Sequence, residues 1–156
     1  GDMKWEEVEL CALAEENISA LMPEAKKRGI RLDFTGEAVR IRGIRQLLSG
    51  IFYNLIDNAI KYNRREGIVR VTVETEKSGE WVCVADRGIG IPTEHQERIF
   101  ERFYRGDKSH SKEHGGTGLG LSIVKHAAKL HGATIQVDST VGEGTAIKIH
   151  FTGILQ

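Results

Sequence analysis

Two asparagines, a lysine and a tyrosine stand together in Asn54-Leu-Ile-Asp-Asn58-Ala-Ile-Lys61-Tyr62. On a helix, Asn54 and Asn58 lie one turn apart on the same side, and Lys61 and Tyr62 follow on the next turn. A carboxamide oxygen is a hard, uncharged ligand. It suits Mg2+, which keeps several waters and shares its other ligands with phosphate groups. A single asparagine in a helix more often bonds to neighbouring backbone. A pair at this spacing, with an ammonium and a ring beyond it, fits a nucleotide and its metal ion better. Asp57 falls at a different angle of the helix and is not cast as a catalytic base.

A second group is Asp86-Arg-Gly88-Ile-Gly90-Ile91, at the end of an apolar run. A carboxylate there can accept hydrogen bonds from an amine such as that of adenine, and glycines let backbone approach a flat ring. A bare Gly-x-Gly is usually a turn. The third glycine and the long following helix of a dinucleotide fingerprint are missing, and no P-loop motif occurs. A third group, Gly115-Gly116-Thr117-Gly118-Leu119-Gly120-Leu121, places glycines at a predicted helix start, where free N–H groups and the helix dipole favour an anion. By itself it reads equally well as a hinge. The cations just before it, Arg102, Arg105 and Lys108, favour phosphate over a plain solvated loop.

The elements that position these groups follow from periodicity. Residues 5–29 read as a helix with a broad apolar face, a kink or break at Pro23 and a stop at Gly29. Ile30–Phe34 and Ala38–Ile41 alternate around Thr35-Gly36, as a short strand pair would. Ile44–Lys61 holds the i, i+3, i+4, i+7 pattern for over four turns. Ile68–Thr75 and Trp81–Ala85 form a hairpin turned at Ser78-Gly79, after a solvated Arg64–Gly67 turn. Thr93–Phe100 reads as a short helix capped by Thr93. About residues 101–117 there is no period, as in a mobile lid. Leu119–Leu130 is helical. Ala133–Val137 and Ala146–Phe151 make a last antiparallel pair around Gly142-Glu-Gly144-Thr145. This order predicts an α+β fold. It is a two-layer sandwich whose mixed, mostly antiparallel sheet of about five strands is covered on one face by three helices. The 156 residues read as a single domain.

Composition narrows the classes. Lys plus Arg and Asp plus Glu both number 22, so no net field recruits nucleic acid or an anionic membrane. No apolar run nears the roughly 20 residues of a membrane span, and the start lacks a signal-peptide pattern. Cys11 and Cys83 read as reduced, buried thiols. The six histidines, His95, His110, His114, His126, His131 and His150, read as structural or solvated.

Four blocks in this order resemble the ATP-binding catalytic domain of bacterial sensor histidine kinases, in the superfamily shared with gyrase, mismatch-repair ATPases and a heat-shock chaperone. They are Asn54–Tyr62 (N box), Asp86–Ile91 (first glycine box), Phe100-Glu-Arg-Phe-Tyr-Arg105 (F box) and Gly116–Leu121 (second glycine box), with Gly142–Thr145 as a late Gly-Thr element. The resemblance implies that ATP and Mg2+ bind. Asp86 takes the adenine amine with Thr145 in support, and Asn58 ligates the metal with Asn54 near it. Lys61 and Arg105 contact phosphate, and Tyr62, Gly88, Gly90 and Ile91 line the base. Gly116, Thr117, Gly118, Leu119, Gly120 and Leu121 serve the phosphates as the lid closes. It implies transfer of the γ-phosphoryl group to a histidine on a separate dimerisation domain, and then to a response regulator. The phosphoacceptor block and sensor domains are absent from these residues, so autophosphorylation is not expected of them alone. The expected form is a cytoplasmic monomer without nucleic-acid or membrane contact, any anchor in the cell membrane lying before residue 1. The competing readings are an anti-sigma-type serine kinase or ATPase of the same superfamily, and a degenerate nucleotide-binding interaction module.

Overall fold

A computed structural model describes residues 3–104 and 120–152. In chain order these form β1 (Trp5–Glu9), α1 (Leu10–Lys27), β2 (Arg31–Gly36), β3 (Arg40–Ile44), α2 (Arg45–Lys61), β4 (Ile68–Glu76) and β5 (Gly79–Asp86). A 3-10 turn (Thr93–His95), α3 (Gly120–Leu130), β6 (Thr134–Thr140) and β7 (Gly144–Phe151) complete them. Five strands make one sheet in the order β2-β4-β5-β7-β6. The β2–β4 pair is parallel and the other three are antiparallel.

Alternation along the central strands aims Val69, Val71 and Val73, Val82 and Val84, and Ile147, Ile149 and Phe151 into one buried layer. They meet Leu48, Ile51, Phe52, Leu55, Ile56, Ala59 and Ile60, the apolar stripe of α2. Helix α2 is the middle helix and packs on both α1 and α3. The predicted two-layer α+β sandwich is the observed one. Its opposite sheet face carries Arg70, Thr72, Glu74, Trp81, Cys83 and Lys148. Truncating Phe52, which is 1% exposed, to Ala would cost about 3–5 kcal/mol. Among the described residues no helix is long and apolar enough to cross a membrane.

Several boundaries differ from the periodicity. Trp5–Glu9 is a strand, paired antiparallel with β3 so that Val8 opposite Ile41 turns inward. Helix α1 therefore begins at Leu10, capped by the Glu9 carboxylate, which accepts from the N–H groups of Cys11 and Ala12 at 3.3 and 2.7 Å. The segments around Thr35-Gly36 do not pair with each other. β2 joins the main sheet beside β4, and β3 joins β1 in a two-stranded sheet. Pro23 neither breaks α1 nor ends it. Pro23 and Ser19, the residue whose carbonyl loses its donor, are both exposed, so water can take that place. Gly29 does follow the helix end, with φ +69°. The helix predicted over Thr93–Phe100 is only the 3-10 turn Thr93–His95 followed by tight turns, and Thr93 makes no side-chain cap. There Gln96 spends its amide on the carbonyls of Ile91 and Ser139, which holds the segment against the sheet edge. Cys11, on α1, and Cys83, on β5, are free and half-buried.

One buried polar group ties the helical layer together. His131 is 3% exposed. Its Nδ1 donates to the Ala127 carbonyl at 2.7 Å, and its Nε2 accepts the Ile44 N–H at 3.0 Å. Ile44 is the cap residue of α2, so the C-terminus of α3 is pinned to the N-terminus of α2. Burial pushes the His131 pKa below its usual value. The unfolded chain then binds the proton more readily, so this group's contribution is present above about pH 6.5 and is lost as pH falls below it. His131→Phe, which orphans the Ile44 N–H, is expected to destabilise the fold by about 1–3 kcal/mol at pH 7.5 in urea unfolding. The gap to wild type should narrow as pH drops toward 5. A gap that stays constant with pH would refute the neutral-acceptor assignment.

Candidate functional site

The polar end of α2 is assembled by its own last turns. Tyr62 caps the helix, donating its N–H to the Asn58 carbonyl at 3.1 Å. Asn54 Nδ2 donates to the Gly50 carbonyl at 2.7 Å. This is the backbone bond common for a helical asparagine, and it leaves Oδ1 as the outward atom. A Cβ placed on Gly120 would stand 3.0 Å from that Oδ1. Glycine at this position thus lets the first turn of α3 close on Asn54. Asn58 is half-buried one turn on. Lys61 Nζ lies 3.0 Å from Asp57 Oδ2, so Asp57 holds the lysine that the sequence pointed to.

The end of β5 supplies the carboxylate. Asp86 faces Thr145 across the β5–β7 ladder. Its Oδ1 accepts the Gly88 N–H at 2.7 Å, and the Thr145 backbone also donates to it. Burial outweighs both bonds and raises the Asp86 pKa to about 6. Thr145 is buried, and its Oγ1 lies 2.7 Å from Ser139 Oγ. Ser139 in turn accepts the Ile91 N–H at 2.8 Å. A cavity of about 480 Å3 opens at this end of the sheet, lined by Asp86, Gln96, Ser139, Glu143 and Thr145 among others.

The two glycines of the Asp86–Ile91 loop are required by backbone as much as by any ring. A Cβ on Gly88 would sit 2.0 Å from the Tyr62 carbonyl oxygen, and one on Gly90 (φ +76°) 2.2 Å from that of Thr140. The loop is therefore wedged between the end of α2 and the β6–β7 turn. Ile89 donates its N–H to Tyr62 O at 3.1 Å, and Gly142 donates its N–H to Ile89 O at 2.9 Å.

Asn54, Asn58, Lys61, Tyr62, Asp86, Gly88, Gly90, Ile91, Gly120, Leu121 and Thr145 thus belong to contiguous elements. Arg105, Gly116, Thr117, Gly118 and Leu119, with Lys108, lie outside the described residues, as does most of the lid. Of the F box, Tyr104 pairs its hydroxyl with His95, and Arg98 covers its ring at 4.5 Å. Three residues here had no signal in the sequence reading: Ser139, Gln96 and Arg64. Arg64 was assigned to a solvated turn, yet its guanidinium binds the carbonyls of Arg87 and Gly142 at 2.5 and 2.8 Å. Its partners are distant in the chain, so no local pattern marks it.

The donor set fits one kind of metal. Among the described residues no cluster of three His, Cys, Asp or Glu side chains could hold an ion. Two carboxamide oxygens could complete the shell of a hard cation that brings its phosphates and waters with it.

Comparison with known proteins bears on the family and the fold. Residues 43–153 match the family model described as histidine kinase-, DNA gyrase B- and HSP90-like ATPase. The chain is 36% identical over 151 residues to the phosphate regulon sensor protein PhoR of Pseudomonas aeruginosa, covering 97% of this chain and 34% of that one. It spans about a third of the curated relatives it matches. It superposes on the catalytic domain of histidine kinase ThkA with a TM-score of 0.83 at 27% identity, covering 97% of each chain. It also superposes on full-length ShkA in complex with AMPPNP with a TM-score of 0.84 at 25% identity, covering 97% of this chain and 32% of that one.

The raised Asp86 pKa carries a stability consequence. The folded pKa of about 6 exceeds the ordinary value of 3.8. The protonated form therefore favours folding below about pH 4, and this contribution is lost as pH rises through about 6. At pH 8 the ionised group opposes folding by roughly 2–3 kcal/mol. Asp86→Asn keeps an acceptor for Gly88 and removes that charge. In the nucleotide-free protein it is expected to raise stability by about 1–3 kcal/mol at pH 8. The gain should fade toward pH 4, as read by urea unfolding at both values.

Proposed function

The chain belongs to the histidine kinase-, DNA gyrase B- and HSP90-like ATPase family, and we propose that it is the catalytic domain of a two-component sensor kinase. In this reading it binds ATP with Mg2+ and donates the γ-phosphoryl group to a histidine on a separate helical dimerisation domain, from which a response regulator takes it. The observation that carries the reading is the half-buried Asp86 carboxylate beside the polar end of α2. The Asp86–Ile91 loop is bonded directly to Tyr62, so base recognition and phosphate chemistry share one rigid frame. The AMPPNP complex of ShkA supports an adenine nucleotide as the ligand.

Asp86 accepts the adenine amine, while Thr145 and Ser139 hold that end of the pocket. Ile91 and Tyr62 line the base. Asn58 and Asn54 offer carboxamide oxygens to Mg2+, whose chemistry when bound is to neutralise and orient the phosphates. Lys61 leaves Asp57 for a phosphate oxygen. The N–H groups around Gly120 and Leu121, at the positive end of α3, add to the anion site. Arg105 and the Gly116–Leu119 stretch supply the lid's share. Phosphoryl transfer asks mainly for positioning and charge neutralisation, and these groups provide both. The acceptor histidine and its assisting acid belong to the partner domain. A monomeric domain in the cytoplasm, its parent held at the cell membrane, is the setting this reading implies.

Calorimetry should show MgATP binding by the wild type. Asp86→Asn should weaken it by about 5- to 150-fold, the worth of roughly 1–3 kcal/mol for a lost buried acceptor. Supplying a histidine-bearing helical hairpin of the same kinase with labelled ATP should yield acid-labile phosphohistidine. Phosphoserine would move the assignment to the serine-kinase branch. Tight ATP binding without any transfer would leave only a nucleotide-binding module.

A further inference from the structure

We propose that Arg64 is a positioning residue for base recognition, acting on Asp86 through the single peptide plane between Arg87 and Gly88. This rests on the reading of Asp86 as the acceptor of an adenine amine. Helix α2 ends at Lys61, and Asn63 shapes the turn that follows. Its Nδ2 donates to the Ile68 carbonyl at 3.0 Å, and its Oδ1 accepts the Arg64 N–H at 2.9 Å. Arg64 Nε then donates to the Arg87 carbonyl at 2.5 Å, while its terminal nitrogen donates to the Gly142 carbonyl at 2.8 Å. Among the described residues this is the side chain that joins the end of α2 to both neighbouring loops.

The consequence lies in the peptide group. The Arg87 carbonyl and the Gly88 N–H belong to one planar unit. The Gly88 N–H donates to Asp86 Oδ1 at 2.7 Å. A cation on the oxygen of that plane fixes its tilt and polarises the N–H on its far side. The orientation of the carboxylate is thereby set from outside the pocket, by a guanidinium that itself stays exposed. A lysine at this position keeps the charge, but its single nitrogen lacks the rigid planar fork that meets the two carbonyls from two separate nitrogens. Gly88 is itself packed closely on this frame, since the Tyr62 carbonyl oxygen occupies the space of its missing Cβ.

The test compares wild type, Arg64→Ala and Arg64→Lys. Hydrogen exchange of the Gly88 amide in the nucleotide-free protein should quicken about tenfold in Arg64→Ala, with the melting temperature within a few degrees of wild type. Binding of ATP and of ITP, whose base carries an oxygen in place of the amine, is then measured in each. Arg64→Ala should lose about tenfold in ATP affinity while ITP affinity holds, so that discrimination collapses. Arg64→Lys should fall between. Unchanged Gly88 exchange overturns the inference whatever the nucleotide does. Equal losses for ATP and ITP also overturn it, since they mark a merely structural role. Wild type that exchanges as expected but binds no ATP overturns the functional reading instead, and the assignment of base recognition with it.

Discussion

Helix α2 must bury one side completely, and most of what the domain can do follows from that constraint. Seven of its residues, from Leu48 to Ile60, are buried against the sheet and the flanking helices. At about 25 cal/mol per Å2 of apolar surface this face is worth far more than any polar contact the helix makes. Rotation of α2 by even one position would drive Asn54, Asp57 or Asn58 into the core. The burial therefore fixes the azimuth of the carboxamides and of Lys61, and it delivers Tyr62 to the loop after β5. The His131 bond to Ile44 sets the other end of the same helix. Position along the axis and rotation about it are both determined before any ligand arrives.

Asp86 shows what such a frame makes possible. A carboxylate in a half-buried setting is disfavoured in its charged form, and here two N–H donors do not fully offset the lost hydration. In a purely structural role this would be a liability that a neutral residue removes. In a site that takes an amine-bearing ligand, the unfilled demand of the carboxylate becomes selectivity. A base without a donor at that place leaves the charge poorly solvated, and a base with one satisfies it. The loop that carries it is packed against Tyr62 and Thr140 and bonded to Tyr62 and Gly142, which holds the carboxylate at this depth.

What could be read from the chain alone divides along contact separation. The apolar stripe of α2 and the β4–β5 hairpin repeat within a few residues, so period and turn chemistry reveal them. Strand β1 was hidden because its partner, β3, lies some 35 residues away. Trp5 and Val8 then read as the first turn of an apolar helix face. The same holds for the parallel seat of β2 beside β4, which no short pattern predicts. In the site, Asn54, Asn58 and Asp86 carry side chains whose chemistry stands out in their local setting. Ser139, Gln96 and Arg64 do not. Their bonds run to backbone carbonyls and N–H groups, most of them 23 to 78 positions away, and backbone groups have no signature in a sequence.

The cations around the site fall into two kinds, and the difference bears on how a nucleotide can enter. Lys61 is paired with Asp57 one turn back, both side chains about a quarter exposed. A helical pair of this sort is worth only about 0.2–0.5 kcal/mol, so a polyphosphate can draw the lysine away at little cost. Arg64 is bound differently. Its fork spans two carbonyls on separate loops, and each would be left without that donor if it moved. A phosphate that captured Arg64 would release both of those carbonyls from the end of α2. The exchangeable charge lies on the helix face that also carries Asn54 and Asn58, and the fixed charge lies against the Asp86–Ile91 loop. Drawing Lys61 away from Asp57 therefore leaves the Arg64 bonds to the Asp86–Ile91 loop and to the β6–β7 turn in place.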